Sequence, residues 1–283
     1  MTKRPYSLLY GLLLLVISLV ASHSQTVYTV NSTASGQTGS GTSGTLEWVI
    51  SQIAYSTPSG SYRVVFDLPA GVQTITLSSA LGFYPNLNKT VEIDGSSKAD
   101  FNATNCSPRV YIRSNNPTGM NGFEIGGGAT SSVTIKNLGF QNLNNAIVSQ
   151  SNTVSINVLG CYFGVDSDGI GVTGGDIRNS AILINTGLNL TVGGVGTCER
   201  NLITNCRGQG IELNSAMSSV NIANNYFGLG ADGTTFANLF ITNAGIRLNN
   251  NNLNNVTIGG ATDAHRNVIS NCRTRGIFSE NLG

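Results

Sequence analysis

The residues whose types and spacing could do chemistry are a few carboxylates and a repeated set of arginines. VDSDG carries Asp166 and Asp168, with Asp176 and Arg178 close behind. Oxygen ligands at such spacing can begin a calcium site. The same loop returns as LGADG, which keeps Asp232 but has Gly230 where Asp166 stood. A tight Asp-Gly turn therefore explains the repeated position without a metal, and no cofactor is expected, calcium at Asp166 and Asp168 being the single candidate.

The arginines come in pairs. RNLITNCRGQGIEL, Arg200 to Leu213, is nearly restated as RNVISNCRTRGIFS, Arg266 to Ser279, so Arg200 matches Arg266 and Arg207 matches Arg273. GIEL and GIRL add Glu212 and Arg247 at outward strand positions beside Leu183 and Phe278. Arg200, Arg207, Glu212, Arg247, Arg266 and Arg273 are the candidate ligand-binding residues. Stacked, they form a mixed-charge stripe, either a shallow sugar-binding groove or a solvated face whose ion pairs contribute little. Tyr162, Phe163, Tyr226 and Phe227 offer stacking platforms, with one aromatic of each pair expected in the core.

Other chemistries lack parts. His265 is the only histidine outside the N-terminal leader, too few for a zinc cluster or a Ser-His-Asp assembly. Two or three carboxylates converging on one sugar bond, as glycosidases need, are not evident. The net charge of +1, without a basic run, gives no support to a nucleic-acid partner.

The elements that must position these groups are repeats. YFGVDSDG, Tyr162 to Gly169, returns at Tyr226 to Gly233, and LTVGG, Leu190 to Gly194, returns as VTIGG at Val256 to Gly260. Inside this unit Ile147, Ile182, Ile211, Ile246 and Ile277 recur at about 30 residues, the scale of a stacked repeat. Each is followed by apolar residues at i and i+2, Val154/Ile156, Leu190/Val192, Val220/Ile222 and Val256/Ile258. That alternation marks short strands with one buried face, joined by Gly and Asn turns. Restated rungs of this kind describe a coil rather than a sandwich, with each Ile over the next and every backbone N–H paired along the stack. Asn201, Asn225 and Asn267, or Asn205 and Asn271, are placed to stack as amide ladders.

Ahead of the repeats, GTLEWVISQIAYST sets Leu46, Val49, Ile50 and Ile53 on one helical face, with Thr45 or Ser43 to cap it. This helix is expected to close the end of the core. The expected organisation is residues 1–24 as a signal peptide, 25–130 as an N-terminal cap with the first rungs, and 131–283 as β-helix repeats. The leader pattern is Lys3 and Arg4, an apolar run from Leu8 to Val20, then small residues near Ala21. That run is shorter than the roughly 18 residues of a membrane span. It implies export, with no span after cleavage. The chain stops at GIFSENLG just after a rung opens, so a longer parent protein is expected. Of five cysteines, Cys206 and Cys272 read as small buried residues, and Cys198 with Cys206 is the local disulfide the spacing allows.

The run VVFDLPAGVQTITLSSAL and TVEIDGS, followed by VTIGG, RNVISN, GIxL, NNYFG and DGT elements, resembles secreted bacterial right-handed parallel β-helix proteins of the pectin-lyase-like superfamily. The resemblance covers about Thr26 to the end. It implies an all-β chain, a right-handed parallel β-helix or solenoid with an N-terminal capping helix. Its members span polysaccharide lyases, glycoside hydrolases, adhesins and surface proteins. The expected function is an extracellular or cell-surface scaffold for adhesion or polysaccharide binding. A carbohydrate-active enzyme and a purely structural spacer are the alternatives.

Overall fold

A computed structural model describes residues 25–83, 88–116, 119–127, 131–234, 239–250, 253 and 255–280. The expected signal peptide and the last three residues lie outside them. Within them the chain is all-β, with three long, mostly parallel sheets and one short α-helix.

The three sheets are visited in rotation. Strand Val154–Leu159 belongs to the first sheet, Tyr162–Phe163 to the second and Ile182–Thr186 to the third; Asn189–Val192 then returns to the first beside Val154–Leu159. Ten strands line the first sheet and seven each of the others. Each pass pairs in parallel with the pass before it, so backbone hydrogen bonds run along the stack and leave the side chains to fill the space between the sheets.

The isoleucine ladder falls in direct register: Ile147 opposite Ile182, then Ile211, Ile246 and Ile277. The first four are fully buried, which for an Ile is worth about 1.5–3 kcal/mol each. In the second sheet Phe140 stacks on Phe163 with centroids 5.0 Å apart, and Phe227 lies further along the same row. In the first sheet Ile156 faces Leu190 and Val158 faces Val192, so the strand that starts at Val154 extends one pleat further than the next. The roughly 65-residue duplication spans two passes, because Leu202 sits between Tyr162 and Tyr226 in the second sheet.

The asparagine ladder forms where the first sheet turns into the second. Asn201 donates from Nδ2 to Asn225 Oδ1 at 2.8 Å, and Asn225 donates to Asn267 Oδ1 at 3.0 Å. Asn201 and Asn225 are fully buried. Asn205 and Asn271 serve differently: both hold left-handed backbone angles, φ 48° each, which a short amide side chain tolerates at a tight turn.

The helix Leu46–Ser51 starts at Thr45, whose hydroxyl accepts from the Trp48 N–H at 3.3 Å, and continues as a wider turn, Gln52–Ser56. Leu46, Val49, Ile50 and Ile53 are buried against the first strands, as their spacing predicts. The cysteines correct one expectation. Cys198 is bonded not to Cys206 but to Cys106, 92 residues away, while Cys206 is fully buried and Cys272 half-buried at alternate corners of the stack, with Ile241 between them. Cys206 points inward at its corner, where Cys198 on an exposed turn cannot meet it.

Candidate functional site

The outer face of the second sheet carries two recesses. Phe140, Phe163 and Phe227 point inward, so their neighbours Gly139, Tyr162 and Tyr226 point out, in one row with Tyr111 and Leu202. Asn105 and Cys106, and Gly196 and Cys198, from two connections out of the first sheet, line recesses on this face, as do Asp166 and Ala231 from the loops after Phe163 and Phe227. Val165 and Leu239 from those loops pack on Tyr162 and Leu202, making a small second core outside the stack. Gly139 is required here because a Cβ would overlap the Tyr111 ring lying across it.

A cleft of about 280 Å³ opens at this row, lined by Tyr162, Arg200, Tyr226, Asn105, Asn224 and the Cys106–Cys198 disulfide. Arg200 donates from Nε to Asn224 Oδ1 at 2.8 Å, and its guanidinium carbon lies 4.3 Å from the Tyr226 ring centroid. Burial pushes the Tyr162 phenol upward, against the opposing bond from Ser107 and the charge of Arg200, so the phenol stays neutral. The cleft thus offers aromatic surface, amides and one cation together. That combination suits a molecule with an apolar face and a rim of hydroxyls, such as a sugar.

Asp166 and Asp168 order the neighbouring loop. Asp166 accepts from Thr173 N–H at 2.9 Å, Thr173 Oγ1 at 2.7 Å, Gly174 N–H at 3.1 Å and Gln141 Nε2 at 2.6 Å. Asp168 accepts from the N–H groups of Ile170 at 2.9 Å and Gly171 at 2.7 Å. Burial alone would raise the Asp166 pKa, but the bonds from Thr173, Gly174 and Gln141 hold it below its ordinary value. Asp232 accepts from Thr234 in the same way in the second copy of the loop. Among the described residues no three His, Cys, Asp or Glu side chains gather to hold a metal.

The other candidate residues divide between two places. On the third sheet Leu183, Glu212, Arg247 and Phe278 stack in the order read from the sequence. Arg247 pairs with Glu212 at 3.0 Å and Glu280 at 2.8 Å, and Ser180 Oγ donates to Glu212 at 3.0 Å. Where the second sheet passes into the third, Arg207 pairs with Asp176, which also holds Arg178 at 3.1 Å, and Arg273 lies 3.8 Å from the Phe240 ring centroid. Arg266 is exposed on the turn that leads into Asn267. Arg200 is thus the one member of the set inside the cleft. Tyr111, Arg113 and Thr74, on the same face of the second sheet, were missed by sequence reasoning because they precede the visible repeat.

No protein-family model matches the chain, no curated protein matches it, and no solved structure matches it. Among the described residues no helix is long and apolar enough to cross a membrane.

Proposed function

We propose that this chain is an exported, right-handed parallel β-helix of the pectin-lyase-like type, a scaffold at the cell surface or outside the cell that binds polysaccharide on the outer face of its second sheet. The observation that carries the binding reading is the cleft in which Arg200 covers Tyr226 beside Tyr162. Support for the β-helix comes from the rotation of the chain through three parallel sheets and from the buried Asn201–Asn225–Asn267 ladder. Support for export comes from the leader pattern of residues 1–24 together with the Cys106–Cys198 disulfide, a bond that persists in oxidising compartments. Adhesion through a bound glycan follows from the same surface.

A second reading, a carbohydrate-active enzyme, is favoured by one relationship: Glu212 and Glu280 meet on the single guanidinium of Arg247, on the outer face of the third sheet. Two carboxylates near one another are the starting requirement for a glycoside hydrolase. Both are charge-paired here, which suits a structural network better than acid–base work.

Incubation with a panel of uronic-acid polysaccharides, with and without calcium, separates the readings. The scaffold reading expects binding without new unsaturated or reducing ends. Sustained formation of either end would replace it with the enzyme, and no binding to any glycan would leave a structural spacer.

A further inference from the structure

A second recess, of about 330 Å³, lies on the same outer face of the second sheet as the Arg200 cleft, with Thr74, Tyr111, Arg113, Gln141 and Asp166 among its walls. Its floor is built by register. Thr74 pairs with Tyr111 and Arg113 with Gln141, and Tyr111 and Arg113, two residues apart, share the outward face of one strand.

Two groups in this recess have no partner. The Nε of Arg113 is buried without a hydrogen bond, and Arg113 forms no ion pair among the described residues. Three other buried arginine Nε groups differ: those of Arg63 and Arg178 each face a carboxylate, Glu92 at 3.0 Å and Asp176 at 3.1 Å, and Arg247 pairs with Glu212 at 3.0 Å through Nη1. The second group is the Tyr111 hydroxyl, which has no hydrogen-bond partner although Tyr111 is only 2% exposed. Leaving such groups unpaired in a folded protein costs free energy, and a ligand that satisfies them recovers it.

The chemistry of the missing partner follows from the donors. A guanidinium has only N–H donors and no acceptor, and a phenol and the Thr74 hydroxyl can each donate. Asp166, on the opposite wall, already accepts from Thr173, Gly174 and Gln141 and makes no ion pair with Arg113. What fits a cation with two hydroxyls is an acceptor-only oxyanion, which a guanidinium holds by two parallel bonds. We infer that the Arg113 recess is a second glycan subsite, taking a carboxylate or sulfate carried on a sugar of the bound chain. This rests on the polysaccharide-binding reading and narrows it to acidic glycans.

The test is an array bearing uronate, sulfated and neutral glycans, followed by titration of polygalacturonate and dextran sulfate in solution. Wild type, Arg113→Ala, Arg113→Lys and Tyr111→Phe are compared, with melting temperatures to confirm that each variant folds. The expected result is preference for acidic glycans and an affinity loss of at least about tenfold in Arg113→Ala, the scale of a lost charge-assisted bond. Arg113→Lys, which keeps the charge but not the paired geometry, should fall between. The stronger of the two titrations identifies the oxyanion as carboxylate or sulfate. Acidic glycans bound equally by wild type and Arg113→Ala, or binding confined to neutral glycans, would overturn this subsite while leaving polysaccharide binding standing. No binding to any glycan would overturn the polysaccharide reading itself.

Discussion

Arg200 spans from one pass of the stack to the next: its guanidinium carbon lies 4.3 Å from the Tyr226 ring centroid while its Nε is bonded to Asn224 at 2.8 Å. The Asn201–Asn225 hydrogen bond immediately beside it fixes the spacing of those two passes. The ladder therefore sets the geometry of the cleft, and the repeat that stabilises the fold also places the arginine.

That ladder gives a stability prediction. Asn225 is fully buried, receives a bond from Asn201 and donates to Val192 O at 2.9 Å, Ala223 O at 3.0 Å and Asn267 Oδ1 at 3.0 Å. Asn225→Ala strands these partners and should cost about 2–4 kcal/mol in chemical denaturation. Asn214→Ala, in the more exposed Asn185–Asn214–Asn249 ladder, should cost about 1 kcal/mol or less because water replaces the lost bonds. Equal losses at both sites would show that burial does not set the contribution.

The stack and its ladders were legible in the sequence because repetition superimposes one pass on the next: Ile147 through Ile277 and Asn201, Asn225 and Asn267 occupy the places their spacing assigns. The partners of the arginines were less so. Arg207 meets Asp176 from the preceding pass, and Arg247 meets Glu280 from the next, contacts that depend on where loops of unequal length return to the stack. The disulfide was illegible for a related reason. Cys106 lies in a connection that no other pass restates, so no internal comparison pairs it with Cys198.

That disulfide supplies a second prediction. It joins the connection of residues 95–109 to the turn at 193–200, closes a separation of 92 residues and forms part of the cleft wall. In the chain-entropy account a loop of that length is worth up to about 4–5 kcal/mol. Reduction should lower the melting temperature of the wild type and leave that of a Cys106→Ser, Cys198→Ser double variant unchanged. A reductant-insensitive wild type would mean the bond contributes little to the folded state.

Acid should weaken the fold through particular carboxylates. The bond from Lys98, reinforced by Gly71 and Arg109, holds Asp100 well below its ordinary range against an opposing effect of burial. Asp94 and Asp166 are also depressed: burial would raise each, but the bonds they accept, led by Ser96 for Asp94 and Thr173 for Asp166, outweigh it. A depressed folded pKa gives stability that is present above the unfolded value, 3.8 for these groups, and lost as pH falls through the folded values. Melting temperatures should hold through mildly acidic pH and fall below about pH 4. Asp100→Asn should lower the neutral-pH value and flatten the acid decline; an unchanged acid slope would assign that decline to other groups.

The central claim is that the outer face of the second sheet binds polysaccharide through Arg200 and Tyr226. Its most direct test is titration of a glycan selected on an array into wild type and an Arg200→Ala, Tyr226→Ala double variant, with Arg207→Ala, whose partner Asp176 lies outside the cleft, as control. The account predicts that the double variant loses at least about tenfold in affinity, the scale of a lost cation and aromatic platform, while the control binds as wild type. Equal affinity in the wild type and the double variant would contradict it.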